Sequence, residues 1–251
     1  DCGRLTISEI TCQVKFFNSE QEVIKLLKNG CQNYLSFNLA KAYHGIIKRS
    51  VLNEIKTKTG NFIGGLSPDI YLSVAASLLI KKVLIIDYPL TISGICNKSG
   101  SADSAVGKHT GKLESAPHFI GHNNYQWSDK IPSFYSVETI WGDSALAVLN
   151  DFKRMDLIKY FSIDAISTYC YKLYPQFKIF IIDNLAKNHK ISKHSFLINL
   201  HLLNGLIKGP IKAILIKIKI KLFNKSSIHY FENVSDINEA TKIIQEEIKI
   251  K

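Results

Sequence analysis

The sequence predicts an α/β protein: part of a mixed sheet with flanking helices, followed by a mainly helical C-terminal region. Three observations carry that expectation. Val83-Leu84-Ile85-Ile86 is a short continuous apolar run, the pattern of a strand buried on both faces. Before it, Ile70, Val74, Ala75, Leu78 and Leu79 recur at the spacing of one helix face. Beyond residue 136 the helical period dominates, with Pro175 and Gly209-Pro210 as natural stops.

Taken in order, residues 5–17 alternate weakly and suit a short strand. A helix is expected over 19–29, with Ser19 as its cap, Glu20 and Glu22 in the first turn and Gly30 beyond the end. A second helix is expected over 39–56, where Ala42, Ile46, Ile47, Val51, Leu52 and Ile55 lie near helical spacing. Gly64-Gly65 permits a tight backbone path into Ser67, which suits an N-cap, and Pro68, which suits the first helical position. That third helix runs to about residue 80, and Lys81-Lys82 sits favourably against its C-terminal dipole. From residue 97 to about 133 periodicity gives way to Gly, Ser, His, Asn and Pro. Helices are then expected over 137–152, 157–174 and 196–206, and an amphipathic helix over 235–249.

Hydrophobic content of 46% excludes a disordered chain. A net charge of +11 raises nucleic acid as a partner, yet only Arg4, Arg49 and Arg154 are arginines and the other basic residues are lysines. Readers of base edges use the arginine fork, so sequence-specific nucleic-acid binding is not expected. Cys2, Cys12, Cys31, Cys96 and Cys170 are odd in number and hold no C-x-x-C pair, which points to reduced thiols rather than to a disulfide framework or a thiolate metal site. No signal peptide opens the sequence and no apolar run is long enough to span a bilayer, so a cytoplasmic location is expected. The run 211–223 carries Lys212, Lys217, Lys219 and Lys221 among apolar residues. It suits either a packed element with solvated lysines or attachment to an anionic membrane surface.

The stretch Tyr43-His44-Gly45, Arg49, Leu52, Gly60, Phe62, Ser67-Pro68-Asp69-Ile70-Tyr71, Ala75, Pro89-Leu90-Thr91-Ile92-Ser93-Gly94 and Lys98-Ser99-Gly100 resembles, in order and spacing, the second half of the GT-A catalytic domain of family 2 glycosyltransferases. The branch it is similar to builds bacterial surface polysaccharides. The resemblance covers about residues 1–105, the acceptor-side half of that domain. Residues 106–135 follow as a long loop, 136–207 as a helical region and 208–251 as a basic tail. The resemblance implies transfer of a sugar from a nucleotide-sugar donor to a hydroxyl of a glycan or lipid-linked acceptor, with inversion, in cell-surface glycan synthesis.

A sugar hydroxyl is a poor nucleophile at neutral pH, so a carboxylate must take its proton as attack begins. The family's base lies where a loop enters a helix at the acceptor cleft, and Asp69 matches that place; without catalysis, it is an ordinary first-turn acid favoured by the helix dipole. His44, Lys98 and Ser99 are the candidate acceptor contacts, the alternatives being a hydrogen-bonded packing residue for the first and a solvated loop for the others. Complete enzymes of this kind hold a divalent Mg or Mn on the donor diphosphate through an Asp-x-Asp element. This sequence has no Asp-x-Asp and no Gly-rich phosphate loop, so no residue is assigned to metal or donor, and the chain reads as starting partway through the catalytic domain. His109, His118 and His122 match no motif, and Glu138 and Asp143 read as helix-face charges. The competing readings are a non-enzymatic peripheral membrane or partner-binding module, and a degenerate glycosyltransferase-like protein.

Overall fold

In the computed structural model, which describes residues 3–94, 109–116, 119, 125–207 and 228–249, the chain builds outward from one buried helix. That helix, α3 (Pro68–Leu79), has every residue from Ile70 to Ser77 buried. Before it come β1 (Gly3–Ser8), β2 (Val14–Asn18), α1 (Ser19–Lys28) and α2 (Arg49–Thr59); after it come β3 (Lys82–Ile86), β4 (Gly111–Lys112) and β5 (Phe134–Tyr135). The helical region is α4 (Val137–Asp151), α5 (Met155–Ile158), α6 (Ile163–Leu173), α7 (Lys178–His189) and α8 (Leu197–Leu206), and β6 (Ile228–Val234) with α9 (Ile237–Lys249) close the described part. The fold is therefore mixed α/β with helix dominant.

The main core joins Val23, Leu26 and Leu27 of α1, Ile70 and Val74 of α3, Leu146 and Leu149 of α4 and Ile166 of α6. A helix can be buried on all sides only if its polar side chains find partners. In α3 they do: Ser73 Oγ donates to the Ala40 carbonyl at 2.5 Å and Ser77 Oγ accepts from the Ala40 amide at 3.1 Å. Those two bonds explain a departure from expectation. Residues 39–48 are not helical, and α2 starts only at Arg49, because the backbone of Ala40 bonds to α3 in place of a helical ladder.

Strands appear as three antiparallel two-stranded ribbons among the described residues, pairing β1 with β6, β2 with β3 and β4 with β5. The strand expected at residues 83–86 exists, but not as a central strand covered on both faces: Leu84 is 46% and Ile86 45% exposed. Their register partners Phe16 and Val14 are exposed beside them, so the ribbon keeps one apolar face open.

Other boundaries differ for local reasons. Asn18, not Ser19, caps α1, its side chain accepting from the Gln21 amide at 2.9 Å. Ser19 instead donates to the Ile80 carbonyl. The helix expected over 157–174 is broken at Phe161-Ser162, where the Ser162 amide donates to the Leu27 carbonyl at 3.0 Å and its hydroxyl caps α6. Helix α7 was not expected; it starts within a few residues of Pro175 and ends with Lys190 in the left-handed region. Cys31 and Cys170 are free and buried, as expected, and burial pushes both thiols up; Cys12 is free but exposed. The run 211–223, with Cys2 and Cys96, lies outside the described residues.

The turn into α3 is locked by α4. Ser144 Oγ accepts from the amides of Leu66 and Ser67 at 3.1 and 2.9 Å. Gly65 holds φ +66°, and a Cβ there would meet the Ser144 Cβ at 3.1 Å. Gly65→Ala is therefore expected to cost about 2 kcal/mol, combining a left-handed alanine with the contact to Ser144. Urea unfolding of the variant beside wild type checks it, and a loss below about 0.5 kcal/mol would mean the turn relaxes freely.

Candidate functional site around Asp69

Pro68 begins α3 and places Asp69 in its first turn, half-buried where the 60–67 loop meets the helix. Ser67 has the backbone of an N-cap, yet its side chain makes no capping bond; the hydroxyl donates to Asp69 Oδ1 instead. Tyr34, from the segment after α1, donates its hydroxyl to Asp69 Oδ2 at 2.7 Å. Burial first, then the carboxylate itself, pushes the Tyr34 hydroxyl up, so it stays protonated and remains a donor at any working pH. The Tyr34 ring in turn meets Trp141 edge-on at 4.9 Å. Each carboxylate oxygen thus has one hydroxyl donor and keeps a further lone pair for an incoming hydroxyl.

A cavity of about 680 Å3 is lined in part by residues of the 39–48 segment. Its walls include Leu39, Val51, Ile85 and Thr91, and its charged lining residues are Lys41, Lys48 and Lys82, with His44 and no carboxylate. Lys41 donates to the Leu35 carbonyl at 2.7 Å, and burial lowers its pKa. His44 is exposed in a loop, not on a helix as expected, with Nδ1 3.1 Å from Thr91 Oγ1. Asp69 is not among the cavity's lining residues. Helix α3 links the two, with Asp69 at its start and Ala76 in the cavity wall, a separation of about 10 Å at 1.5 Å rise per residue. The structure therefore does not bring His44 and Asp69 together. Lys98, Ser99, His118 and His122 lie outside the described residues.

A second carboxylate corrects its sequence reading. Asp143 is no solvated helix-face charge: it is 2% exposed, accepts from Tyr125 and takes the Ser128 amide at 2.8 Å. Burial pushes it up to about 6, against those two hydrogen bonds. Glu138 is likewise engaged, accepting from Tyr174. Nothing in the local sequence marks these pairs, because their partners lie 18 and 36 residues away.

The metal implied by the resemblance has no fitting donor set at Asp69, whose recorded partners are two hydroxyls. Among the described residues, the one cluster with metal-ligand chemistry is Asp164, His189 and His201, on α6, α7 and α8. Sequence reading passed it over, since three helices bring together residues with no motif spacing.

Compared with known proteins, the chain matches no family model, no curated protein and no solved structure.

The Asp143 environment has a pH consequence. Its folded pKa, about 6, lies above the 3.8 of the free side chain, so between those values the native state holds a proton that the unfolded chain lacks. The cost of burying the ionised carboxylate is absent below the lower value and complete above the upper one. Asp143→Asn removes this term. Relative to the variant, wild type should gain up to about 3 kcal/mol of stability as pH falls from 7.5 to 4. Urea midpoints at both pH values measure it; parallel curves for the two proteins would mean that Asp143 is ionised at little cost.

Proposed function

We propose that this chain is the acceptor-side part of an inverting family 2-type glycosyltransferase, with Asp69 as the base that deprotonates an acceptor hydroxyl. The observation that carries the reading is the Asp69 carboxylate itself, set at the mouth of a loop-to-helix junction and held by Tyr34 and Ser67. Two fixed hydroxyl donors restrict its rotation, which is what positioned proton transfer needs. The residue order around it is the order that resembles the family, with the Gly-Gly turn, Ser67-Pro68 and the apolar strand in sequence.

The cavity supports the acceptor side of the proposal. Three lysines and a histidine set in apolar walls, with no carboxylate among the lining residues, suit a ligand with an anionic head and an apolar body. A lipid-linked acceptor has both. Its phosphate would lie toward Lys41 and His44, with its sugar extending out of the cavity toward the α3 N-terminus. Donor and metal sites belong, in this reading, to a nucleotide-binding half carrying the Asp-x-Asp element.

In an enzyme joined to its donor-binding half, Asp69→Asn is expected to lower transfer by at least about a hundredfold while donor affinity and melting temperature hold. Tyr34→Phe, which keeps the base and removes one donor to it, should lower transfer by less than about tenfold. Near wild-type transfer by the Asp69→Asn enzyme would remove the assignment. The 251 residues alone should neither bind nor turn over a nucleotide-sugar, and calorimetry with donor tests that directly.

A second reading, peripheral attachment to an anionic membrane, has its own support. Phe196, Leu200, Leu203 and Ile207 recur along one side of α8 and its ends and are all at least 45% exposed, and the lysine-rich run 208–225 follows directly in sequence. No helix among the described residues is long and apolar enough to cross a membrane. An apolar helix face beside lysines suits insertion at the headgroup boundary, each near-surface lysine adding about 1 kcal/mol on anionic lipid. Sedimentation should show binding to anionic vesicles that raised salt weakens. Equal binding to neutral and anionic vesicles would count against it.

A further inference from the structure

Helices α6, α7 and α8 meet where three metal-ligand side chains converge. Asp164 lies in the first turn of α6, His189 ends α7, and His201 sits within α8. His189 Nε2 is 2.7 Å and His201 Nδ1 3.1 Å from the same oxygen, Asp164 Oδ1. The two imidazoles stack with centroids 3.6 Å apart and planes 18° from parallel. Asp164 is buried, and Asn204, one turn along from His201, donates to its other oxygen.

We propose that Asp164, His189 and His201 form a binding site for a divalent transition ion of the zinc class, which pins α7 and α8 to α6. Two imidazoles and one carboxylate suit zinc and its neighbours, whereas magnesium and calcium favour oxygen-only sets. Zinc–ligand bonds of about 2.0–2.1 Å in a tetrahedron put donor atoms about 3.3 Å apart. The donors here stand 2.7 and 3.1 Å from the carboxylate oxygen, close to that spacing, and the two stacked rings need to swing apart to turn both lone pairs onto one ion. Both imidazoles are 27% exposed at the side chain, which leaves a solvent side for a water as fourth ligand.

The supporting shell is built as a metal site needs. Asn204 occupies Asp164 Oδ2 and thereby aims Oδ1 at the two rings. Helix α8 can approach α6 closely only because Gly205 has no side chain: a Cβ there would strike the Asp164 carbonyl and Thr168 Oγ1. Thr168 Oγ1 also donates to the Leu202 carbonyl at 2.8 Å, fixing the crossing. With the ion bound, each ring turns a lone pair inward and carries its proton on the outer nitrogen; any imidazolium releases one proton. The proposal does not rest on the reading of Asp69.

Zinc titrated into the chelator-treated full chain, followed by calorimetry, should bind at one ion per chain. Magnesium should not compete. His189→Gln and His201→Gln should each weaken zinc binding by at least about tenfold, and the double variant should abolish it. Because Cys12 and surface histidines also attract zinc, cobalt(II) is the second probe. Its visible bands should be those of nitrogen and oxygen ligands, without thiolate charge transfer. Unchanged zinc affinity in the double variant, or a thiolate signature, overturns the proposal. Should the double variant fail to fold, wild type still decides. Zinc at about a hundred times its Kd should raise Tm by roughly 5 °C, and no shift would refute the site.

Discussion

The hydroxyl of Ser144 accepts from two successive backbone amides, Leu66 and Ser67, and much of the molecule follows from that contact. Those amides lie just ahead of α3, where no carbonyl of the helix can reach them. A neighbouring helix supplies the acceptor, so α4 and the start of α3 are fixed together before any apolar packing is considered. Gly64 and Gly65 allow this approach: a Cβ on the first would strike the Tyr71 ring, and one on the second would press on Ser144. Ser67, held in that loop, makes no capping bond and turns its own hydroxyl to Asp69. The loop that presents Ser67 to the candidate base is thus fixed by a serine 75 residues beyond Asp69.

Tyrosine–carboxylate pairs recur around the core. Tyr34 donates to Asp69, Tyr71 to Asp151 at 2.5 Å, Tyr125 to Asp143 and Tyr174 to Glu138. Burial pushes all four phenols up, so each stays a donor and never competes for the negative charge. A buried carboxylate without such a partner is costly, and with one it is fixed in direction. Of the four carboxylates only Asp143 is buried, Asp69 and Glu138 are half-buried and Asp151 is exposed, so the phenols serve acids at several depths. The protein's basic side chains are left to the surface and to the wall of the cavity, where Lys41, Lys48 and Lys82 give the lining one sign of charge.

Sequence reading succeeded where a local pattern carries the physics. Pro68 after Ser67 does begin α3, residues near 137–151 do form a helix closed by a capping box of Ser136 and Thr139, and the 235–249 region does hold an amphipathic helix. It failed where a distant group took over a local role. Residues 39–48 have helical spacing, but Ser73 and Ser77 supply the bonds that Ala40 would have sought in a helix. Leu84 and Ile86 were assigned to a two-sided interior because four apolar residues in a row look alike whether or not a second layer covers them. At the site, Asp69 was legible from its place after Ser67-Pro68. Tyr34, Ser144 and the Asp164 cluster were not, since each depends on helices crossing far apart in sequence.

The separation of Asp69 from the cavity constrains what kind of acceptor the proposed chemistry can serve. Ala76, in the cavity wall, lies roughly two helical turns along α3 from Asp69, so a monosaccharide confined to the cavity would leave its hydroxyls short of that carboxylate. General-base catalysis needs hydrogen-bond contact, so a small acceptor bound in the cavity cannot be the substrate of Asp69. An acceptor anchored at one end and reacting at the other meets the geometry, because its diphosphate and first sugar together span such a distance. In the proposed reading the basic cavity would select the carrier and Asp69 would act on the sugar, so specificity for the lipid or anionic head would be independent of specificity for the hydroxyl attacked. On that proposal, uncharged hydroxyls beside Asp69 are the consistent choice, since a lysine there would draw the anionic head to the reaction centre and put the wrong end of the acceptor there.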